Sequence, residues 1–280
     1  MAEYILITGA TGGLGSAFAL ECARRGHDLV LTDVRPAGSA LAAYLAEKYH
    51  IKAAYYPCDL SRAEDRSRFY QKITAEGYRF WGLLNVAGTD FEGAFKDLTR
   101  DQILQILRVN IEATIDNTHT ILNLRVPDRR FLLVNVASLA AFQPMPFKAI
   151  YAATKRMLLD FTLAIGEEIQ DFGTATALCP AGMPTNPDVM RAIFAQGFWG
   201  RMTTVNPDEV AHRTMRAALR GRRVVIPGGI NQFIRSLAGF IPAEWTAHFV
   251  GQRWSAAQNG ESSWQAWQAA VACSSERSNV

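Results

Sequence analysis

An apolar, β-branched run, Tyr4-Ile5-Leu6-Ile7-Thr8, leads straight into Gly9-Ala10-Thr11-Gly12-Gly13-Leu14-Gly15, and an amphipathic stretch from about Leu14 to Arg25 follows, closed by Gly26. This order of strand, glycine-rich turn and helix constrains the fold more than any other feature of the chain. The first run suits a strand buried in a parallel sheet. Gly9 permits a tight turn. Gly13 and Gly15 carry no Cβ, so backbone can approach a phosphate and helix can pack on strand. The helix N-terminus then offers free N–H groups to an anion. The residues of the turn expected to face a ligand are Gly9, Thr11, Gly12, Gly13, Leu14 and Gly15. The spacing is G-x-x-x-G-x-G rather than G-x-G-x-x-G, and a glycine-rich turn alone is weak evidence. The downstream chain has to say what the turn holds.

The second strand, Asp28 to Thr32, ends at Asp33. A carboxylate about twenty residues past the glycines can accept from both hydroxyls of an adenosine ribose and would repel a 2′-phosphate, which favours NAD over NADP. Arg35 is the counterargument, because a guanidinium there could pair with that phosphate. A helix from Ser39 to Tyr49 and a third strand, Lys52 to Pro57, lead to Cys58-Asp59-Leu60. Asp59 is placed to accept from the adenine amino group, Leu60 lies beside it, and Ser61 reads as the N-cap of the next helix. The fourth strand, Trp81 to Val86, runs into Ala87-Gly88, at the carboxyl end of the sheet where the ligand crevice is expected. Asn85 could brace adjacent backbone there, and Gly88 lets the chain turn beneath the cofactor.

One long helix is expected from Thr99 to Leu124, with Asn110 in its interior, and a strand from Arg130 to Ala137 delivers Ser138 at its end. Thirteen residues on comes Tyr151, then Lys155 four further, on a helix expected from Ala149 to Phe172. Positions i and i+4 share a helix face. A free phenol has a pKa near 10, and a neighbouring ammonium favours its phenolate and lowers that value. Such a tyrosine can exchange a proton with a substrate oxygen, and Ser138 could donate a second hydrogen bond to the same oxygen. Alone, Y-x-x-x-K is a common accident on amphipathic helices.

Composition narrows the alternatives. The 280 residues are 49% hydrophobic and 20% charged, with a net charge of +3, an ordinary globular balance that gives no argument for nucleic acid. Cys22, Cys58, Cys179 and Cys273 form no C-x-x-C pair and match no metal-site spacing, so no metal and a reducing compartment are expected. The first strand begins almost at once and no apolar run reaches membrane-spanning length, so the expectation is a soluble, cytoplasmic protein.

Taken together, Thr8-Gly9-x-x-x-Gly13-x-Gly15, Asp59, Asn85-x-Ala87-Gly88, Asn110, Ser138 and Tyr151-x-x-x-Lys155 resemble, in order and spacing over about residues 3 to 228, the short-chain dehydrogenase/reductase family. The resemblance implies an α/β fold: a single Rossmann-like, doubly wound parallel sheet of about seven strands, helices on both faces, and NAD or NADP as cofactor without a metal. It implies that Tyr151 is the acid–base catalyst and that Lys155 lowers its pKa and holds the nicotinamide ribose. Ser138 would orient the substrate carbonyl, and Asn110 would bind a water that links Lys155 to solvent. The family's N-N-A-G reads Asn85-Val86-Ala87-Gly88 here. The turn after the sixth strand reads Cys179-Pro180-Ala181-Gly182-Met183-Pro184-Thr185, with alanine where the family has glycine after Pro180. Pro180, Gly182 and Thr185 are the cofactor contacts implied there. Family members commonly pair subunits through the helices that here carry Asn110 and Tyr151, which implies a homo-oligomer.

The substrate side is apolar in composition. Phe91, Phe142, Met145, Phe147 and Met183 fall in loops around the expected crevice, and Phe194, Phe198 and Trp199 in the segment 186–206, where the resemblance puts a substrate lid. These residues suit a large apolar carbonyl compound, or simply form the core face of the lid. A further helix opens at Asn206-Pro207-Asp208 and runs to about Arg220, and a last strand spans Val224 to Pro227. The expected division is a dinucleotide-binding domain over 1–240 and a tryptophan-rich extension over 241–280, with Trp245, Trp254, Trp264 and Trp267. That extension is expected to pack on the domain or a partner subunit; seating on a membrane is disfavoured because its basic face is missing. The alternatives are a dinucleotide-binding regulator or scaffold with vestigial chemistry, and a peripheral membrane enzyme held by this tail that reduces lipid carbonyls.

Overall fold

The computed structural model describes residues 3–183, 205–229, 231–232 and 242–252. Thr185, Phe194, Phe198, Trp199, nearly all of the expected lid, and Trp254, Trp264 and Trp267 lie outside the described residues.

The chain alternates strand and helix: β1 (Glu3–Thr8), α1 (Gly13–Arg24), β2 (Asp28–Asp33), α2 (Gly38–Tyr49), β3 (Ala53–Pro57), α3 (Ala63–Ala75), β4 (Arg79–Asn85), α4 (Arg100–Leu107), α5 (Ala113–Asn123), β5 (Phe131–Val136), α6 (Ala149–Glu168), β6 (Gly173–Leu178), α7 (Pro207–Ala218) and β7 (Val224–Val225). All seven strands pair in parallel in the order β3-β2-β1-β4-β5-β6-β7. The order reverses between β1 and β4, and a crevice opens at the carboxyl ends of such a pair.

Both sheet faces are covered, and the strands show why. Ile5 and Ile7, Leu29 and Leu31, and Leu132 and Val134 join one core layer with Phe18 of α1, Leu45 of α2 and Met215 of α7. The intervening Leu6, Val30 and Leu133 join the other, with Phe69 and Ile73 of α3 and Ile121 of α5. Alternate residues point to opposite faces, so a strand apolar at every position needs helices on both sides.

Several boundaries shift by a residue or two, and four departures from expectation have a local reason. The helix with Asn110 is not continuous: Arg108–Glu112 form a π-turn between α4 and α5. Asn110 hydrogen-bonds to the backbone of Thr89, and the ladder admits an extra residue to let it do so. Ser61 is not an N-cap; its N–H and hydroxyl both donate to Asp59 Oδ1, and Arg62 occupies the cap. α6 stops at Glu168, because Phe172 and Gly173 N–H groups turn back onto Ile169 O to enter β6. β7 ends at Val225, two residues short of Pro227, which has no N–H to donate.

Candidate active site

The turn after β1 is built so that only glycine fits. Gly9 has φ +62°, and a Cβ there would lie 2.8 Å from Ala87 Cα; at Gly15 it would lie 1.9 Å from Gly9 O. Thr8 Oγ1 accepts from the N–H groups of Val86 and Ala87, at 3.1 and 3.2 Å, and so ties the end of β4 to β1. The N-cap of α1, Gly12, brings no side-chain acceptor, and the first turn holds no acid. Its N–H groups and the helix's partial positive charge therefore await an anion. This cradle fits the pyrophosphate of a dinucleotide.

At the end of β2, Asp33 is 6% exposed. Its Oδ2 accepts from Thr11 N–H at 3.0 Å and its Oδ1 from Arg35 N–H at 3.2 Å, with Arg35 Nε 3.4 Å away. Burial pushes this carboxyl up, but the Thr11 and Arg35 hydrogen bonds and the Arg35 charge outweigh it and hold the group below its usual range. The opposing residues of the cofactor argument are thus a pair. The Arg35 guanidinium also reaches the glycine turn, where a Cβ on Gly12 would lie 3.6 Å from it. Tyr55, not foreseen from sequence, donates to the carbonyls of both Asp33 and Arg35 and fixes this corner. Asp59 keeps Oδ2 beyond its Ser61 bonds, and Leu60 beside it is buried.

Asn85 turns away from the crevice. Its side chain braces no backbone; it bonds Thr118 Oγ1 at 3.2 Å, Asn135 Oδ1 at 2.9 Å and Asn117 Nδ2 at 3.1 Å. Tyr70 donates to Asn117 at 2.7 Å and Asn135 to Thr162 at 2.9 Å, so a buried polar chain runs from α3 through α5, β4 and β5 to α6.

Asn110 and Lys155 meet beside Gly88, and Tyr151 lies next to Lys155. Asn110 is fully buried. Its Oδ1 accepts from Thr89 N–H at 2.9 Å, and its amide donates to Thr89 O at 3.0 Å and Thr154 Oγ1 at 3.1 Å. Both amide N–H groups are committed, which leaves one lone pair on Oδ1. A Cβ on Gly88 would lie 3.3 Å from Lys155 Nζ and 3.4 Å from Asn110 Oδ1. Lys155 Nζ donates to Val136 O at 2.8 Å and sits 5.6 Å from the centre of the Tyr151 ring. Burial drives its pKa down to about 8. The Tyr151 phenol departs from the simple expectation: burial raises its pKa, a hydrogen bond from Ser138 and the charge of Lys148 oppose that, and Asp90 adds to it. Desolvation of the phenolate outweighs the Ser138 hydrogen bond and the Lys148 charge. Ser138 also caps the short turn Leu139–Phe142 by accepting from Ala140 N–H at 3.1 Å.

Of the expected substrate-side residues, Phe91 and Phe147 line a crevice with Phe95 and Leu98. Phe142 packs against the Leu158–Leu159–Ile226 core cluster and Met183 against the α1 layer. Pro180 O accepts from Leu139 N–H, and Gly182 O from Val205 N–H. A helix over 243–252 approaches the loop before α6, where a Cβ on Gly251 would be 3.3 Å from Pro146 Cγ; no sequence pattern pointed to that contact.

Residues 3–193 match the family model described as short chain dehydrogenase. A very-long-chain 3-oxoacyl-CoA reductase of the fungus Coprinopsis cinerea is 31% identical over 178 residues, 61% of this chain and 51% of the relative. The chain thus matches about half the length of such fungal relatives. Human 17-beta-hydroxysteroid dehydrogenase 13 is 26% identical over 254 residues, 88% of this chain and 81% of the relative. Among solved structures, a 7beta-hydroxysteroid dehydrogenase superposes with a TM-score of 0.80 at 21% identity, covering 89% of this chain and 96% of the other. A short-chain dehydrogenase from Sphingobium yanoikuyae in complex with NADPH does so with 0.69 at 25%, covering 86% and 96%.

Proposed function

As the chain belongs to the short-chain dehydrogenase family, we propose that it is an NAD(P)-dependent oxidoreductase that interconverts a bulky, apolar ketone and its alcohol with Tyr151 as the acid–base group. The observation that carries this reading is the Tyr151 phenol beside the Ser138 hydroxyl, with the buried Lys155 Nζ 5.6 Å from the centre of its ring. A bound dinucleotide supplies or accepts the hydride. In the reducing direction Tyr151 gives its proton to the substrate oxygen while Ser138 donates to the same oxygen. Lys155 then stabilises the phenolate, and a solvent proton restores the phenol. Asn110 holds the Thr89 backbone over this point and positions it. The turn from Gly9 to Gly15 would hold the pyrophosphate and Asp33 the ribose.

Apolarity of the substrate is supported by Phe91 and Phe147, which line a crevice with Lys148, and by relatives named for long acyl chains and steroids. NAD is the preferred cofactor on this reading, because a carboxylate at Asp33, held charged by Thr11 and Arg35, would accept from ribose hydroxyls and repel a 2′-phosphate. The test is a panel of steroid ketones, aryl ketones and 3-oxoacyl thioesters with NADH and NADPH. Tyr151→Phe should bind dinucleotide as wild type does and lose turnover by roughly a hundred- to ten-thousandfold. Undiminished turnover in that variant would refute the role of Tyr151.

A further inference from the structure

Tyr151 has a second lysine beside it. Lys148 Nζ lies 5.8 Å from the centre of the Tyr151 ring, against 5.6 Å for Lys155. Lys155 comes from the next turn of α6, Lys148 from the turn that precedes α6. Lys148 is held in place: its ammonium is 2.6 Å from Asp90 Oδ2 and 3.0 Å from Glu92 Oε2, both in the loop after β4. The backbone repeats the tie, since Gly93 N–H donates to Phe147 O at 2.9 Å. Phe147 holds a left-handed φ of +65°, a conformation that costs a non-glycine residue about 1–2 kcal/mol. Asp90 Oδ1 is buried without a hydrogen-bond partner. Backbone strain and an unpaired carboxylate oxygen concentrate where function makes use of them.

We propose that Lys148, clamped by Asp90 and Glu92, is a positioning residue that sets the acidity of Tyr151 from outside α6, with Asp90 acting in the opposite sense. The inference rests on the reading of Tyr151 as the acid–base group. Among the described residues, the charged and titratable groups around this phenol are Lys155 on its own helix, Lys148 before it, Asp90 and Glu92 after β4, and Cys179 behind Lys155 at the end of β6. The Ser138 hydroxyl is the neutral partner. The Lys148 charge favours the phenolate and the Asp90 charge disfavours it. A clamped ion pair therefore presents two opposed fields whose balance depends on both members.

Ultraviolet titration of tyrosinate absorbance tests this without a substrate. Each protein is measured against its own Tyr151→Phe counterpart, so that one phenol is read. Lys148→Met should raise the midpoint and Asp90→Asn lower it, each by about half a unit to one unit, while Lys148→Arg keeps the wild-type value. Loosened packing alone would not move the two variants in opposite directions. Shifts of the same sign, or none, overturn the proposal. If Tyr151→Phe abolishes turnover and the midpoints still do not part, only this inference fails; if Tyr151→Phe turns over normally, the reading beneath it fails.

Discussion

Two buried polar clusters lie within one sheet's reach of each other, and they are finished differently. In the Asn85–Asn117–Asn135 chain each asparagine both donates and accepts, and none of its side-chain polar atoms is left over. Around Tyr151, Lys155 makes one hydrogen bond, to Val136 O, among the described residues, and Asp90 Oδ1 makes none. The first cluster carries no charge and joins α3, α5 and α6 across the strands. The second keeps charge in a desolvated place. A satisfied network contributes rigidity, whereas an incompletely satisfied one leaves valences for a substrate and a proton.

That contrast breaks most visibly at Lys155. Its folded pKa of about 8 lies below the unfolded value, so the unfolded chain binds the extra proton between about pH 8 and 10.5 and stability rises with pH across that window. Relative to Lys155→Met, the wild type should gain about 3 kcal/mol over the window, read by urea denaturation at pH 7 and pH 10, and the variant should lose most of its turnover. Parallel pH dependence in the two proteins would mean that Lys155 bears no burial penalty. The neutral cluster should behave in reverse. Asn135→Ala strands Asn85 and Thr162 and should cost about 2–3 kcal/mol at any pH, with KM and the pH profile of turnover unchanged; a shifted profile would join the clusters into one. The smallest effect is expected at the Asp33–Arg35 corner. Asp33→Ser should move the NADH-to-NADPH affinity ratio toward NADPH by about tenfold, or about 1.4 kcal/mol, measured by quenching of protein fluorescence.

The parts legible in the sequence are those written in local periodicity and backbone chemistry. β1, β2 and β5 each hold an apolar run (Ile5–Ile7, Leu29–Leu31, Phe131–Val134), and Gly9 and Gly15 occupy positions where a Cβ would collide, so fold and turn could be read directly. Thr99 even announces its helix with a capping box to Gln102. What escaped depends on distance along the chain. Lys148 and Asp90 are 58 residues apart, and Asn85 and Asn135 are 50 apart; nothing in either neighbourhood foretells the other. The raised Tyr151 pKa escaped for the same reason, because an i, i+4 lysine is visible in sequence and the depth of burial is not.

The π-turn at Arg108–Glu112 reaches beyond the asparagine it seats. At about 100° per residue, Leu107 and Ile115 would stand about 80° apart around an unbroken helix. One surplus residue in the turn takes up a step of the winding and brings them to within about 20° of one line. Both are among the exposed large apolar side chains. A one-residue deletion there would therefore change two things at once, the lining of the crevice and the phase of the outer surface. Any lineage that straightened this helix would have to re-cut both its interior and its exterior in the same step.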